Sequence, residues 1–223
     1  MLRDTQNSPS KIGSVSRASK ERIVIKIKNL YQMALEYKKN EIGLRWEELY
    51  DFIEKIGRDK IFSNKHNIAL LAEKMDLYLG SFNMKIFGRT GLNKNRLLEV
   101  LIDCKEILKE FLSSGSSESY ISSWKKLYDS LAVNNISNSH VMITKILMGL
   151  GGWMPALDKN VVNSLVNHPI LAQIGLNGIQ EAFENSNLKK LKTVGGNEIP
   201  WGRVCDMALW WAWVNGDEKL WLV

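Results

Sequence analysis

A lysine and an aspartate flank a glycine-rich segment in the second half of the chain. Lys145 precedes Asp158 by thirteen residues, and several glycines and Pro155 lie between them. A lysine amine beside a carboxylate can act as a nucleophile with an acid/base partner. A glycine-rich turn at the N-terminus of a helix can also receive a phosphate group. The segment is therefore a candidate catalytic or anion-binding turn.

The same residues predict an ordinary corner between two helices. Gly149, Gly151 and Gly152 can take the positive φ angles that end a helix, and Pro155 suits the exit from a turn. Asp158 can cap the following helix, because its carboxylate can accept from the free N–H groups of the first turn. The glycine spacing matches neither a P-loop nor G-x-G-x-x-G, and no strand pattern precedes it, so nucleotide binding is not predicted.

A second candidate anion site is the segment over residues 83–96. It contains four cations among glycines and no acidic residue; the cations are Lys85, Arg89, Lys94 and Arg96. Convergent cations on flexible backbone suit phosphate. The alternative is a solvated basic loop. Residues 88–95 themselves predict a turn.

Charge is concentrated near the N-terminus. The chain has a net charge of +6, and residues 1–28 alone hold seven Lys or Arg against two acidic residues. Such an arm attracts polyanions such as DNA, RNA or an acidic membrane surface. The alternative is a tail that only aids solubility. Residues 1–18 are polar and rich in Ser, so we expect them to be a disordered basic arm.

Tryptophan is concentrated at the other end, where five of the eight lie in the last 23 residues. Trp210 and Trp213 would share one helical face, and Trp211 would lie on another. A helix buried against the bundle explains this pattern, and so would an interface between copies of the chain. A third interpretation is an aromatic wall that stacks a planar ligand.

Other residue types limit the possible functions. Cys104 and Cys205 are far apart and outside any metal-binding motif, and His66, His140 and His168 are isolated from one another, so we expect no metal and no cofactor. His140 would begin a helix in a capping or partly buried role.

Sparse cysteine without a signal sequence predicts two reduced thiols inside helices and a cytoplasmic location. No apolar run approaches the length of a membrane span.

Apolar residues at steps of three and four predict helices along most of the chain. The predicted helices run from Ser19, as the cap, to about Lys39, then over 46–56, 64–82, 97–112, 119–133, 137–150, 158–167, 177–185 and 200–216. Residues 192–200 could hold a small hairpin. The Ser-rich stretch 113–123 predicts a loop and a possible internal boundary. We therefore expect an all-α protein, a compact multi-helix bundle, with one domain over residues 19–223.

The central segment also resembles a family of uncharacterised bacterial helical proteins. The shared pattern T-K-x3-G-x2-G-x2-P-A-x-D-[KR] falls on Thr144, Lys145, Gly149, Gly152, Pro155, Ala156, Asp158 and Lys159. Two flanking blocks support the resemblance, one around Tyr78, Leu79, Ser81 and Met84 and one through Pro200, Asp206, Met207, Trp210 or Trp211, and Gly216. The family has no agreed activity, so the resemblance implies a shared fold more than a function.

A more distant similarity is to helix-hairpin-helix DNA glycosylases. Those enzymes carry a lysine on one helix and an aspartate at the start of the next, which implies Lys145 as nucleophile and Asp158 as its carboxylate partner. The L-P-G-[IV]-G hairpin of those enzymes is missing ahead of Lys145, the lysine-to-aspartate spacing is shorter, and there is no iron–sulfur cysteine set.

Three functional hypotheses follow. The first is a protein that associates with nucleic acid, binding phosphates through the arm and the 85–96 segment and bases through Trp or Tyr side chains. The second is a glycosylase-like enzyme that acts on DNA through Lys145 and Asp158. The third is a non-catalytic module that forms homo-oligomers through its Trp-rich C-terminal helix.

Overall fold

The computed structural model describes residues 17–39, 41–80, 94–115, 118–133, 140–167 and 169–215. This part of the chain is helical with no strand, as the sequence predicts. Its helices are α1 (Arg17–Lys38), α2 (Glu41–Ile56), α3 (Lys65–Gly80), α4 (Lys94–Asp103), α5 (Lys105–Ser114), α6 (Glu118–Val133), α7 (His140–Gly151), α8 (Lys159–Val166), α9 (Pro169–Glu184) and α10 (Trp201–Asn215).

Two helices are buried along most of their length. Every residue of α7 from Met142 to Gly151 is buried, and so is every residue of α10 from Trp201 to Leu209. A helix that is apolar on all sides belongs inside a bundle. Accordingly, α7 packs against α2, α3 and α6, and α10 packs against α1, α8 and α9. Any polar side chain in these two segments must find its partner inside the protein.

Several boundaries differ from the sequence prediction. Helix α1 begins at Arg17, so Ser19 lies inside its first turn rather than at the cap. The single helix predicted over 97–112 is two helices separated at Cys104, which is buried but not helical. The Ser-rich loop is shorter than predicted, because α5 continues to Ser114 and α6 begins at Glu118. Gly115, with φ of 60°, ends α5 in the left-handed conformation that glycine adopts most easily.

The predicted 177–185 helix is the second half of a longer one. Helix α9 begins at Pro169 and is broken at Gly175, whose φ of 66° and ψ of 178° are not helical. Residues 192–198 form a tight turn closed by a single antiparallel bridge between Lys192 and Glu198. Helix α2 holds this turn, because Asp51 accepts from the Gly195 N–H at 2.8 Å and Glu47 accepts from the Val194 N–H at 2.7 Å.

None of the helices in the described ranges is both long enough and apolar enough to cross a bilayer.

Candidate functional site

The structure brings Lys145 and Asp158 together. Lys145 lies on the buried helix α7, and its Nζ is 2.9 Å from Asp158 Oδ2. The lysine side chain is 3% exposed and the aspartate side chain 13%. The glycosylase-like hypothesis requires this contact, but it also requires that a substrate reach the amine. The burial of Lys145 leaves almost no surface for such an approach.

The second oxygen of Asp158 caps α8. Asp158 has extended backbone angles, and its Oδ1 accepts from the N–H groups of Asn160 and Val161, each at 3.0 Å. This confirms the cap predicted from the sequence. One carboxylate therefore satisfies two N–H groups of the first turn of α8 and also neutralises the buried amine of Lys145.

Two more N–H groups of the turn before α8 are bound by side-chain oxygens of the protein. Thr144 Oγ1 accepts from the Leu157 N–H at 3.1 Å, and Asp206 Oδ1 accepts from the Ala156 N–H at 2.9 Å. Phosphate binding at a helix start needs free N–H groups and a positive potential. Here the donors are satisfied by the protein's own oxygens, and two of those oxygens carry negative charge. The geometry does not favour the anion-binding interpretation of this turn.

The glycines of the turn have different roles. Among them only Gly152 has a positive φ, of 66°, whereas Gly149 and Gly151 lie within α7, so the prediction that all three take positive φ is wrong. A Cβ on Gly149 would lie 3.0 Å from the Tyr78 ring, so this glycine permits close packing. Pro155 is buried in the turn. These residues shape a corner between packed helices.

A second ionic pair lies beside the first. Arg203 is fully buried on α10, and its Nη1 contacts Asp206 Oδ2 one turn along the helix. The guanidinium carbon is 5.1 Å from the Tyr37 ring centroid and 5.0 Å from that of Trp46. Tyr37 also interacts with the guanidinium through a side-chain hydrogen bond. Cation–π contacts therefore carry part of the stabilisation of this charge.

The buried ionic cluster consists of Lys145, Asp158, Arg203 and Asp206, and it shifts neighbouring pKa values. Burial raises the pKa of Asp206, while Arg203 and Lys145 oppose that rise. Burial also raises the pKa of Tyr37 to about 12, with Arg203 opposing it. With two cations and two anions the cluster is balanced in formal charge.

The 85–96 segment is described only in part. Lys85 and Arg89 lie outside the described residues. Lys94 begins α4, so the turn predicted over 88–95 ends before it. The Arg96 side chain is 47% exposed, with Nη1 3.5 Å from Glu99 Oε2. Whether the four cations converge stays a prediction.

The Trp-rich helix is largely a packing element. Trp210 and Trp211 are partly buried, and both make edge contacts with Tyr37, at centroid distances of 5.4 and 6.4 Å. Trp213 is 41% exposed and Val214 is 50% exposed. Of these three tryptophans, Trp213 is the most exposed and the most available for the contact that the homo-oligomer hypothesis requires.

An open groove of about 450 Å³ lies where α2, α9 and the turn before α10 meet. Trp153 and Trp201 line it together with the charged residues Arg58, Glu184, Lys190 and Glu198. The two cations and two carboxylates balance, so the groove has no evident preference for an anion.

Within the described residues, no three His, Cys, Asp or Glu side chains converge as a metal site requires.

Arg203 and the three rings Trp124, Tyr128 and His140 are features that sequence reasoning missed. The Trp124 and Tyr128 spacing of four residues places both on one helical face and could have been noticed. Nothing in the sequence marks Arg203 as buried.

The structure also locates the remaining histidines and cysteine named from the sequence. His66 lies at the start of α3 and is exposed, Cys205 is buried in α10, and His168 lies outside the described residues.

Comparison of the chain with known protein families, curated proteins and solved structures gives no match in any of the three. The resemblance to the helical family and to the glycosylases therefore remains a prediction from the sequence.

Proposed function

We propose that the protein binds nucleic acid, with the cations of residues 1–28 and 85–96 contacting phosphates. The observation that carries this proposal is the separation of charge along the chain. Residues 1–28 hold a net charge of +5, and the 83–96 segment holds +4. The remaining residues hold 19 Lys or Arg and 22 Asp or Glu, a net charge of −3. The whole positive excess thus belongs to two segments.

Many charges on the rest of the described surface are paired with one another. Examples are Lys126 with Glu110 at 2.7 Å, Lys190 with Glu198 at 3.1 Å and Lys39 with Glu36 at 2.8 Å. Paired charges exert little field at a distance, whereas a run of cations without acids attracts a polyanion. Phosphates would therefore be drawn to the two basic segments.

Helix α1 carries both cations of the basic arm and residues of the core, so the arm is better tested by substitution than by truncation. Five of the seven cations of residues 1–28 lie at or after Arg17, on α1, so the basic segment is helical in its second half. The same helix supplies Ile27 and Leu30 to the core, at 3% and 1% exposure. Deletion of residues 1–28 would remove core contacts together with charge. Charge neutralisation separates the two effects.

The test is fluorescence anisotropy with labelled DNA and RNA at about 50 and 200 mM salt. One variant carries Lys20→Gln, Arg22→Gln and Lys26→Gln; a second carries Lys85→Gln, Arg89→Gln, Lys94→Gln and Arg96→Gln. The matched control carries Lys105→Gln, Lys109→Gln and Lys126→Gln, three exposed lysines each near a glutamate. Each phosphate contact contributes about −0.9 to the slope of log K against log salt on duplex DNA.

We expect the wild type to bind with a steep salt dependence. Both basic-segment variants should bind more weakly and with a shallower slope, and the control should match the wild type. Absence of binding at about 50 mM salt would overturn the proposal. An equal loss in the control variant would also overturn it, because the effect would then follow total charge rather than the two segments.

The alternative function is a DNA-processing enzyme, and the 2.9 Å contact between Lys145 and Asp158 is the observation in its favour. It predicts base release from DNA by the wild type and loss of that activity in Lys145→Met. The nucleic-acid-binding proposal predicts that Lys145→Met, where it folds, binds DNA as the wild type does. The anisotropy samples can be assayed for base release directly, so one series of measurements separates the two.

A further inference from the structure

Three aromatic rings meet at the surface where α6 packs against the start of α7. Trp124 and His140 are nearly parallel, with ring centroids 5.0 Å apart and an interplanar angle of 7°. Trp124 and Tyr128 are 5.2 Å apart at 26°, and Tyr128 and His140 are 5.7 Å apart at 31°. We call these three residues the aromatic platform.

The distances show how the rings are arranged. Stacked rings are separated by about 3.5 Å, so two rings on opposite faces of Trp124 would be about 7 Å apart or more. Tyr128 and His140 are only 5.7 Å apart. They therefore lie side by side on the same face of the Trp124 indole. The platform has two layers, with the indole in one layer and the phenol and imidazole in the other.

The surroundings of the platform are exposed and include a lysine. His140 is exposed, whereas Trp124 and Tyr128 are partly buried and pack against the core. Lys125, the residue after Trp124, is exposed on the same helix. Ile121, one turn before Trp124, is 77% exposed. The platform is thus open to solvent at the His140 ring, and an exposed apolar side chain and an exposed lysine lie on the helix that carries its other two rings.

We infer that the aromatic platform stacks a base of single-stranded nucleic acid, with Lys125 near the adjoining phosphate. This inference rests on the proposed function and assigns part of it to a place in the fold. Proteins that bind single strands combine cations that follow the backbone with aromatic side chains that stack bases. Both elements occur here within two turns of α6. In a duplex the bases are already stacked on one another, so the platform favours single strands.

The test compares a labelled single-stranded oligonucleotide with its duplex, using the full chain. His140→Ala and Tyr128→Leu remove the layer made of the phenol and the imidazole and leave the Trp124 indole in place. The matched control is Trp213→Leu, which removes an exposed ring from α10, 41% exposed, far along the chain from the platform. Circular dichroism and thermal unfolding of each variant establish that it is folded.

We expect single-strand affinity to fall about tenfold or more when Tyr128→Leu and His140→Ala are combined, since one stacked base contributes on the order of a tenfold or larger factor. Duplex affinity should stay within about twofold. The salt dependence should be unchanged, because stacking releases no counterions. Trp213→Leu should behave as the wild type.

Failure of this inference differs from failure of the proposed function. A wild type that binds neither strand form at low salt overturns both. A wild type that binds, together with platform variants that bind single strands equally well, overturns the platform alone. The platform is also overturned if its variants lose single-strand and duplex binding equally. A change in mass by sedimentation in the His140→Ala variant would overturn it too, because the rings would then be a contact between copies of the chain.

Discussion

Two lysine–carboxylate pairs have similar N···O distances, but one pair is buried and the other is exposed to solvent. Lys145 and Asp158 are 2.9 Å apart, with side chains 3% and 13% exposed. Lys190 and Glu198 are 3.1 Å apart, with side chains 51% and 58% exposed. Water can replace each partner of the second pair, whereas it cannot replace Asp158 for the buried Lys145. The same chemical contact is therefore optional at the surface and required inside the bundle.

The buried pair also belongs to a larger arrangement. Asp206 accepts from the Ala156 N–H in the turn that leads to Asp158, so the two ionic pairs of the buried cluster are joined through the chain. The pair at Lys190 connects residues on the two sides of one local turn. The cluster is buried and its two pairs are linked. We therefore expect substitutions in the cluster to lower the free energy of unfolding far more than substitutions at the surface.

The largest effect is expected for Asp206→Ala. It leaves the fully buried Arg203 without its carboxylate partner and the Ala156 N–H without an acceptor. Breaking a buried pair in this way costs about 3–5 kcal/mol. Urea unfolding measures the loss, with Asp129→Ala, an exposed aspartate on α6, as the control. If the variant does not fold, Asp206→Asn, which keeps an acceptor oxygen, should recover folded protein. An equal loss of unfolding free energy in Asp206→Ala and Asp129→Ala would contradict the difference between buried and surface charges.

A smaller effect is expected for Lys145→Met, compared with Lys190→Met. A hydrogen bond to a charged group contributes about 1.5–3 kcal/mol, so Lys145→Met should lower the free energy of unfolding by that order. Lys190→Met should change it by less than about 1 kcal/mol, because exposed ion pairs contribute little. The two urea unfolding curves are compared at the same salt concentration. Equal losses for the two substitutions would show that burial does not decide the strength of these pairs.

The smallest effect is expected on the pH dependence of the free energy of unfolding, through Tyr37. Burial raises the pKa of Tyr37 to about 12, above its ordinary value near 10. The stabilisation linked to the neutral phenol is present below about pH 10 and is lost as pH rises toward about 12, at roughly 1.4 kcal/mol per pH unit. Unfolding free energies at pH 9, 10 and 11 should fall less steeply in Tyr37→Phe than in the wild type. Parallel curves would place the Tyr37 titration at the same pH in the folded and unfolded chains.

Much of the helical structure follows from local patterns in the sequence. Helix α2 ends at Ile56, just before Gly57, and α10 covers nearly the predicted range. The break at Cys104 was missed, because apolar residues keep the same spacing on both sides of it. The first half of α9 was also missed, and the break at Gly175 hides its continuity with the second half.

The candidate site was predictable in part. The sequence predicted the cap on α8, which is observed. It offered a contact between Lys145 and Asp158 as one interpretation of the turn, with an exposed Lys145 as the alternative, and the contact is observed. The burial of Lys145 was left open, since a lysine is usually exposed. Arg203 was not identified at all. Its environment comes from Tyr37 and Trp46 on two other helices, and no local pattern reports them.

The sequence by itself determined the all-α class, the segregation of positive charge into two segments and the cap at Asp158. Each of these depends on residue type and on neighbours within one or two turns. Only the tertiary structure decided that Lys145 and Arg203 are buried and that His140 joins Trp124 and Tyr128. The physical reason is that burial and ring stacking depend on side chains from helices distant in the sequence, and these are brought together only when the whole bundle packs.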